Sequence, residues 1–388
     1  MKILFPYLAR WRSANRSRYH QLLAHLCQFG HQVYVLNAPP MAINDISAND
    51  IVYENHDLPQ GLTITDLYAP AILRSFYSTP IRRTKLLKKG LVSLTSIRQI
   101  RRFVEREKID ILLLYNLPQA PLLRVVECCT HFDLADDLVA MMEGEDGISA
   151  RAGGKWAARS VQNLMISRSK TITVVSDELR EKINQEVEML PNGASITDLD
   201  HADPSVWRAR VKGPIAGFVG AFEYWVDFDL ILNVARNLPR VKFLLVGGGR
   251  RMKYVKERIN EIGLTNIYLT GAVPYRDAMN FAAGMDVCLM PFTQSPVSHG
   301  SCPLKLFEYA TLRKPIVSTS THEVMRIGRG WIDFADGIKN FADAIESYIE
   351  NKAMAERAGE SGRAMVEKFY NWPNLAHRLE KLLINRQD

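Results

Sequence analysis

Pro303-Leu304-Lys305-Leu306-Phe307-Glu308-Tyr309-Ala310, followed by Arg313-Lys314-Pro315-Ile316-Val317, reads as a helix feeding a short apolar strand. It places a lysine three residues before a glutamate on the first turns of that helix, behind small residues from Ser298 to Ser301. Unpaired amides and the macrodipole at a helix start attract phosphate. Lys305 adds a full positive charge, and Glu308, one turn on, can accept from two sugar hydroxyls. A diphosphate beside a ribose fits these groups. An ordinary capped helix packed under a strand fits them as well, so the surrounding sequence has to be weighed.

Outward from this stretch a strand–helix–strand rhythm repeats. Strands are predicted at 2–7, 33–36, 109–115 and 171–175, with a helix over 17–29 that Gly30 stops. A strand at 189–192 leads into a turn at Gly193. Residues 200–213, with their charges, Pro204 and the Gly213-Pro214 pair, read as a domain linker. Beyond it the rhythm restarts with strands at 215–219, 242–246, 267–270, 287–290 and 316–318. Helices are predicted at 228–237, 275–283 and 305–312, and throughout 337–385. Two successive α/β units imply two Rossmann-like, doubly wound sheets with a cleft between them. The expected domains are residues 1–205 and 206–370, with a final helix at 371–388.

The chain has 388 residues, 47% hydrophobic and 23% charged, which suits a globular protein of more than one domain. No apolar run approaches the roughly 20 residues of a membrane span. The start, MKILFPYLARW, reads as a first strand, not a signal peptide. Cys27, Cys128, Cys129, Cys288 and Cys302 lack metal-ligand spacing and a disulfide pattern, which suits a reducing cytoplasm. Net charge is +7, yet residues 72–108 alone hold eleven Lys/Arg against two Glu. Apolar residues from Ile72 to Ile97 interleave with them, a mixture that suits an anionic membrane surface. A solvated basic helix and a nucleic-acid patch compete with it. The expectation taken forward is peripheral contact with the inner membrane face and no nucleic acid.

Gly247-Gly248-Gly249 fails the dinucleotide fingerprint, because its third glycine would fall at Met252; a tight turn lining a cleft fits better. Asp227-Phe228-Asp229 and Asp198-Leu199-Asp200 resemble a metal-holding DxD, but one starts a helix and the other lies in the linker. No metal is expected, since Lys305 and the helix start can neutralise a diphosphate. His131-Phe132-Asp133-Leu134-Ala135-Asp136-Asp137 either follows a strand at 124–128 or begins one near Thr130. Its crowded carboxylates could supply a general base; an acidic surface turn is the alternative. Arg16 and His20, in the first strand-to-helix connection, could meet an anionic acceptor.

With these residues in view the chain resembles the GT-B glycosyltransferases (glycosyl transferases group 1), near the teichuronic-acid-type and exopolysaccharide branch and more distantly the xanthan glucuronosyltransferase. The resemblance is carried by GFVGAFEYWVDFDLI (217–231), FLLVGGG (243–249), NIYLTGAVPYRDAMNFAAGMDVCLMPF and SCPLKLFEYATLRKPIV (301–317). RSRYHQLLAHLCQFGHQVYVLNAPP, HFDLADDL, TITVVSDEL and LPNGAS add to it. It implies transfer of a sugar from a nucleotide donor, a UDP-sugar, to a glycan or lipid-linked acceptor. Lys305 would bind the diphosphate and Glu308 the ribose, with Ser301, Pro303 and Leu304 at the helix entry. Val273 and Pro274 would frame the base, while Gly220 and Gly249 permit close approach. Asp136 would be the base, with Asp133 and Asp137 behind it, and the last helix would cross back to the first domain. Many relatives carry two glutamates with seven residues between them; here the first position is Gly300, leaving His299 or Ser301 beside the gap. A non-catalytic glycan- or lipid-binding module and a nucleotide-sugar epimerase are the alternatives on the same fold.

Overall fold

The computed structural model describes residues 1–13, 17–39, 58–78, 85–125, 128–144, 154–209 and 211–385. It divides into two compact units, one of Met1–Pro191 with the chain from Pro373 onward, the other of Asn192–Trp372.

Unit 1 is built on β1 (Lys2–Tyr7), β2 (Gln32–Asn37), β3 (Leu62–Asp66), β4 (Ile111–Leu114), β5 (Cys129–Leu134), β6 (Thr171–Val174) and β7 (Glu188–Met189). All pairings are parallel and the order is β3-β2-β1-β4-β5-β6-β7. The apolar runs of β1 and β4 are buried on both faces, as parallel strands covered by helices must be. β3 has no such run. It is an edge strand of alternating Leu62-Thr63-Ile64-Thr65-Asp66, too exposed to announce itself in the sequence. Of the two readings of the acidic motif, the strand beginning near Thr130 is the one found: β5 starts at Cys129 and holds His131 and Asp133 within it.

Unit 2 is built on β8 (Ile215–Val219), β9 (Lys242–Val246), β10 (Ile267–Gly271), β11 (Val287–Met290), β12 (Ile316–Ser318) and β13 (Asp333–Phe334). Its order is β10-β9-β8-β11-β12-β13, again all parallel. The strand order reverses beside β8, where it meets β11. Ligand crevices of doubly wound sheets open at such switch points, at the carboxyl ends of the strands. Two contacts shape that end. Val219 N donates to the Tyr309 hydroxyl at 2.7 Å, which ties the Leu304–Thr311 helix to the last residue of β8. Gly247 has φ +132, and a Cβ there would lie 2.0 Å from Gly220 O, so only glycine lets the turn after β9 cross the turn after β8.

Residues 200–213 are not a free linker. The expected boundary at 205/206 falls inside unit 2, which begins at Asn192. Asn192 Nδ2 donates to Cys302 O at 2.5 Å, Ala194 N to Tyr370 O at 3.0 Å, and Asp203 N to Asn280 Oδ1 at 2.8 Å. Buried Arg363 donates to both oxygens of Asp200, at 2.7 and 3.1 Å, and to Thr311 O at 2.8 Å. These partners are far along the chain, so composition could not show them. The Trp372–Asn385 helix buries Leu375, Leu379 and Leu383. Its Glu380 meets His31 Nε2 at 2.6 Å, and Arg378 donates to Glu188 at 3.1 Å.

Arg363→Met should cost about 2 kcal/mol, because the Thr311 carbonyl loses its donor in a buried place while Asp200 can turn to water. Chemical denaturation should show a lower midpoint with an unchanged slope.

Candidate functional site

The switch point of unit 2 collects the residues singled out around Lys305. Phe218 comes from β8 and Phe292 stands two residues past β11. Lys305 Nζ lies 4.1 Å from the Phe218 ring centroid and 5.3 Å from that of Phe292. A Cβ at residue 220 would sit 2.6 Å from that nitrogen, so Gly220 makes the room. Among the described residues the ammonium has ring faces around it and neither a hydrogen-bond acceptor nor an ion-pair partner. Burial lowers its pKa to about 8, and Glu308, one turn along, opposes that shift.

The helix entry around Lys305 has Pro303 at its N-cap and no side-chain cap, so the first amides are not claimed by a side chain. Ser301, Leu304 and Glu308 are half-buried beside it. Gly249, with φ +150, lets its turn approach to where a Cβ would lie 2.7 Å from Phe222 O. Gly247 N donates to Gly271 O at 3.0 Å, which brings the Val273-Pro274 loop against the glycine turn. Gly300 is buried at the end of the short Pro296–His299 helix. Of its two neighbours, His299 stacks on His322 with centroids 4.0 Å apart and accepts the His322 backbone N–H at 3.3 Å.

Two arginines next to the glycine turn escaped the sequence reading. Arg250 pairs with Glu223 and lies over Tyr224, with its guanidinium 5.2 Å from the ring centroid; Arg251 lies 3.8 Å from the Tyr254 centroid. Their place directly after three glycines was the available signal. The DxD carboxylates have structural roles. Asp227 caps Leu230 N at 2.8 Å, Asp229 accepts the Tyr254 hydroxyl at 2.5 Å, and Asp200 belongs to Arg363.

Unit 1 separates the three acidic candidates. Asp133 is buried in β5, paired with buried Arg18 at 3.0 Å, and accepts the Thr173 hydroxyl at 2.6 Å. It therefore anchors a buried network and does not stand as a base. Asp137 caps Ala140 N at 2.8 Å with one oxygen and meets Lys182 at 2.9 Å with the other, which removes it too. Asp136, just past β5, is exposed and outside both networks. Protein crowding around it raises its pKa to about 6; Arg18 pulls it down, while Asp133 and Asp137 push it up. Buried His131, hydrogen-bonded to Thr171 at 2.8 Å, is held neutral by a pKa lowered to about 4 through burial.

His20 does not present a nitrogen to an acceptor. It is buried, its Nδ1 accepts from Ser17 N at 3.2 Å, and its Nε2 lies 3.0 Å from Trp11 O. These contacts assign the Nε2–H tautomer and make it part of the helix start. Arg16 lies outside the described residues. Arg18, two positions on, is the arginine that the fold engages.

Residues 213–351 match the family of glycosyl transferases group 1. The chain is 25% identical over 288 residues to a Bacillus subtilis (strain 168) protein described as a teichuronic acid biosynthesis glycosyltransferase, covering 69% of this chain and 70% of that one. It is 23% identical over 205 residues to the O-antigen chain mannosyltransferase C of Escherichia coli, covering 51% of this chain and 54% of that one. The fold matches a sucrose-phosphate synthase from Thermosynechococcus elongatus with a TM-score of 0.78 at 14% identity, covering 99% and 98% of the two chains. The chain carries a glycosyl transferases group 1 domain within a GT-B fold. Anabaena HepE, solved in complex with UDP and glucose, shares this fold at a TM-score of 0.70 and 14% identity over 99% and 100% of the chains. No described helix is long and apolar enough to cross a membrane.

Asp133→Asn should lower stability by about 3 kcal/mol or more, because it leaves the Arg18 charge buried with a weakened partner. Asp136→Asn should leave the melting temperature within about 2 °C, since an exposed site outside any network is near neutral. Differential scanning calorimetry of the two variants checks the contrast.

Proposed function

We infer that this glycosyltransferase takes its sugar from a nucleoside-diphosphate carrier, a UDP-sugar, and passes it to a hydroxyl of a glycan or lipid-linked acceptor in cell-surface polysaccharide synthesis. The observation that carries the reading is the Lys305 ammonium, at the switch point of unit 2 beside an uncapped helix start, with no protein acceptor of its own among the described residues. A diphosphate would give that charge its counter-ion, with the first amides of the helix adding donors. Glu308 would take the ribose hydroxyls, and the loop at Val273 and Pro274 would frame the base. The Anabaena neighbour solved with UDP and glucose favours uridine. The relatives named for teichuronic acid and O-antigen favour a polysaccharide acceptor.

Asp136 would accept the proton of the acceptor hydroxyl as the new C–O bond forms and the diphosphate departs. With a pKa raised to about 6 the carboxylate is ionised at neutral pH yet more basic than an ordinary aspartate. The charge growing on the leaving diphosphate would fall on Lys305 and the helix amides, so the reading needs no metal.

The basic segment extends this reading to the membrane surface. In the Lys85–Glu107 helix, Leu87, Leu91, Leu94, Arg98, Arg101 and Arg102 share one outward stripe at three- and four-residue spacing. Leu87 is 57% exposed and Leu94 49%, while Lys88 turns inward to Tyr77 O. Arg82 and Arg83, which also contribute to the charge excess, lie outside the described residues. A leucine half and an arginine half on one stripe suit the interface of an anionic bilayer, where a lipid-linked acceptor would be found.

Asp136→Asn should lower turnover by about 10²–10⁴-fold while UDP affinity stays within about twofold. In the parent enzyme, kcat/KM should fall as pH drops through about 6, where the carboxylate takes up a proton. Glu308→Ala and Lys305→Ala should each weaken UDP binding at least tenfold; unchanged calorimetric affinity in both removes the donor site. Chelation by EDTA should leave the rate unchanged. For the membrane, an Arg98→Ala, Arg101→Ala, Arg102→Ala triple variant should lose sedimentation with phosphatidylglycerol vesicles by about tenfold or more, at roughly 1 kcal/mol per charge. Equal sedimentation of both proteins would show that the stripe is only a solvated face.

A further inference from the structure

An ammonium set partly into protein, as half-buried Lys305 is, normally rests against a carboxylate or several carbonyl oxygens, because an ion that gives up part of its water needs something in place of the lost solvation. Lys305 has none of these among the described residues. What it has instead are two ring faces, Phe218 at 4.1 Å and Phe292 at 5.3 Å, measured to the centroids. An aromatic face attracts a cation through its quadrupole without occupying any N–H. A carboxylate in the same place would hold the donors and would have to be displaced by an incoming anion.

We propose that Phe218 and Phe292 are positioning residues whose ring faces hold the Lys305 ammonium in place of a carboxylate, so that all three of its N–H donors stay available to a diphosphate. The proposal deepens the donor-site reading and rests on it for the identity of the anion.

Each ring is fixed by its own strand end. Phe218 is fully buried in β8 and meets Phe228 edge-on at 6.1 Å; the next residue, Val219, is held by the Tyr309 hydroxyl. Phe292 N donates to Thr319 Oγ1 at 2.9 Å, which sets the backbone under the second ring. Gly220 completes the seat, since a Cβ there would intrude to 2.6 Å from Nζ. One ring thus comes from β8 and the other from the turn just past β11, the two strands that flank the switch point, and the lysine comes from the helix pinned to β8.

The seat has a measurable consequence. Rings compensate an ammonium less than a carboxylate does, so burial lowers the Lys305 pKa to about 8. Glu308 is the charged group that acts on it, and the neighbouring Tyr309 hydroxyl is engaged by Val219. A diphosphate favours the charged form and restores the proton. Binding should therefore take up a proton near pH 8 and weaken as pH rises through that value.

Two measurements on the full-length protein test this. The first follows acetic anhydride labelling of Lys305 by mass spectrometry between about pH 6.5 and 9.5, without nucleotide. The second is calorimetric titration with UDP over the same range, in buffers of different ionisation enthalpy. Phe218→Leu and Phe292→Leu should each move the labelling midpoint to lower pH. Each should weaken UDP binding at neutral pH by about three- to tenfold. Phe292→Tyr, which keeps a ring face, should behave as the parent. Melting temperatures identify any variant that fails by unfolding, and Phe292, at the loop end of the seat, is the milder substitution. A Lys305 midpoint at the ordinary lysine value, unmoved by either leucine, overturns the proposal whatever UDP does. A midpoint that moves as expected in a protein that binds no UDP upholds the ring seat and overturns the diphosphate, and with it the donor reading.

Discussion

A missing methyl at position 220 is the constraint on which unit 2 turns. Were a Cβ present it would lie 2.6 Å from the Lys305 nitrogen, and the flexible lysine would have to shift from its place at the end of β8, while φ +150 would strain any other residue there. The same economy of atoms lets Gly247 pass over the Gly220 carbonyl, so the turns after β8 and β9 lock together. Tyr309 then fixes the helix that carries Lys305 by accepting the last amide of β8. Glycine supplies space, tyrosine supplies register, and the switch of strand order supplies the opening.

Unit 1 resolves its chemistry by a different rule. Three aspartates within five residues could not share one role. One is neutralised by a buried arginine, one caps a helix and meets a lysine, and the third stands outside both arrangements. Desolvation by the surrounding protein is the main cause of the third's raised pKa; Arg18 opposes it, and the two engaged carboxylates add to it as nearby negative charges. The structural carboxylates thus reinforce, without touching it, a shift that desolvation begins. This is the environment-driven separation of like groups that acid–base chemistry requires.

Several features were legible because they are local. The apolar runs of β1, β4, β8, β9 and β11 mark parallel strands buried on both faces, and the Lys305–Glu308 spacing marks one side of one helix. Edge strand β3 and the two-residue β13 were not legible, because neither carries a buried run. His20 was read as a candidate ligand from its place in a loop-to-helix connection. Its neighbours Trp11 and Ser17 in fact bind both ring nitrogens, and short-range geometry of that kind leaves no periodic trace.

The sequence by itself determined the two α/β units, the all-parallel character of their sheets and the lysine–glutamate turn, since each follows from periodicity or spacing within a few residues. Only the tertiary structure decided which carboxylate is left outside the buried networks, where unit 2 begins, and what surrounds the lysine. Arg18 and Asp133 are 115 residues apart in the chain, Asn192 and Cys302 110. Phe218 and Phe292 meet over Lys305 because β8 and β11 pair across the switch point. Contacts of that kind are made when strands from distant parts of the chain pack side by side, and no local pattern encodes them.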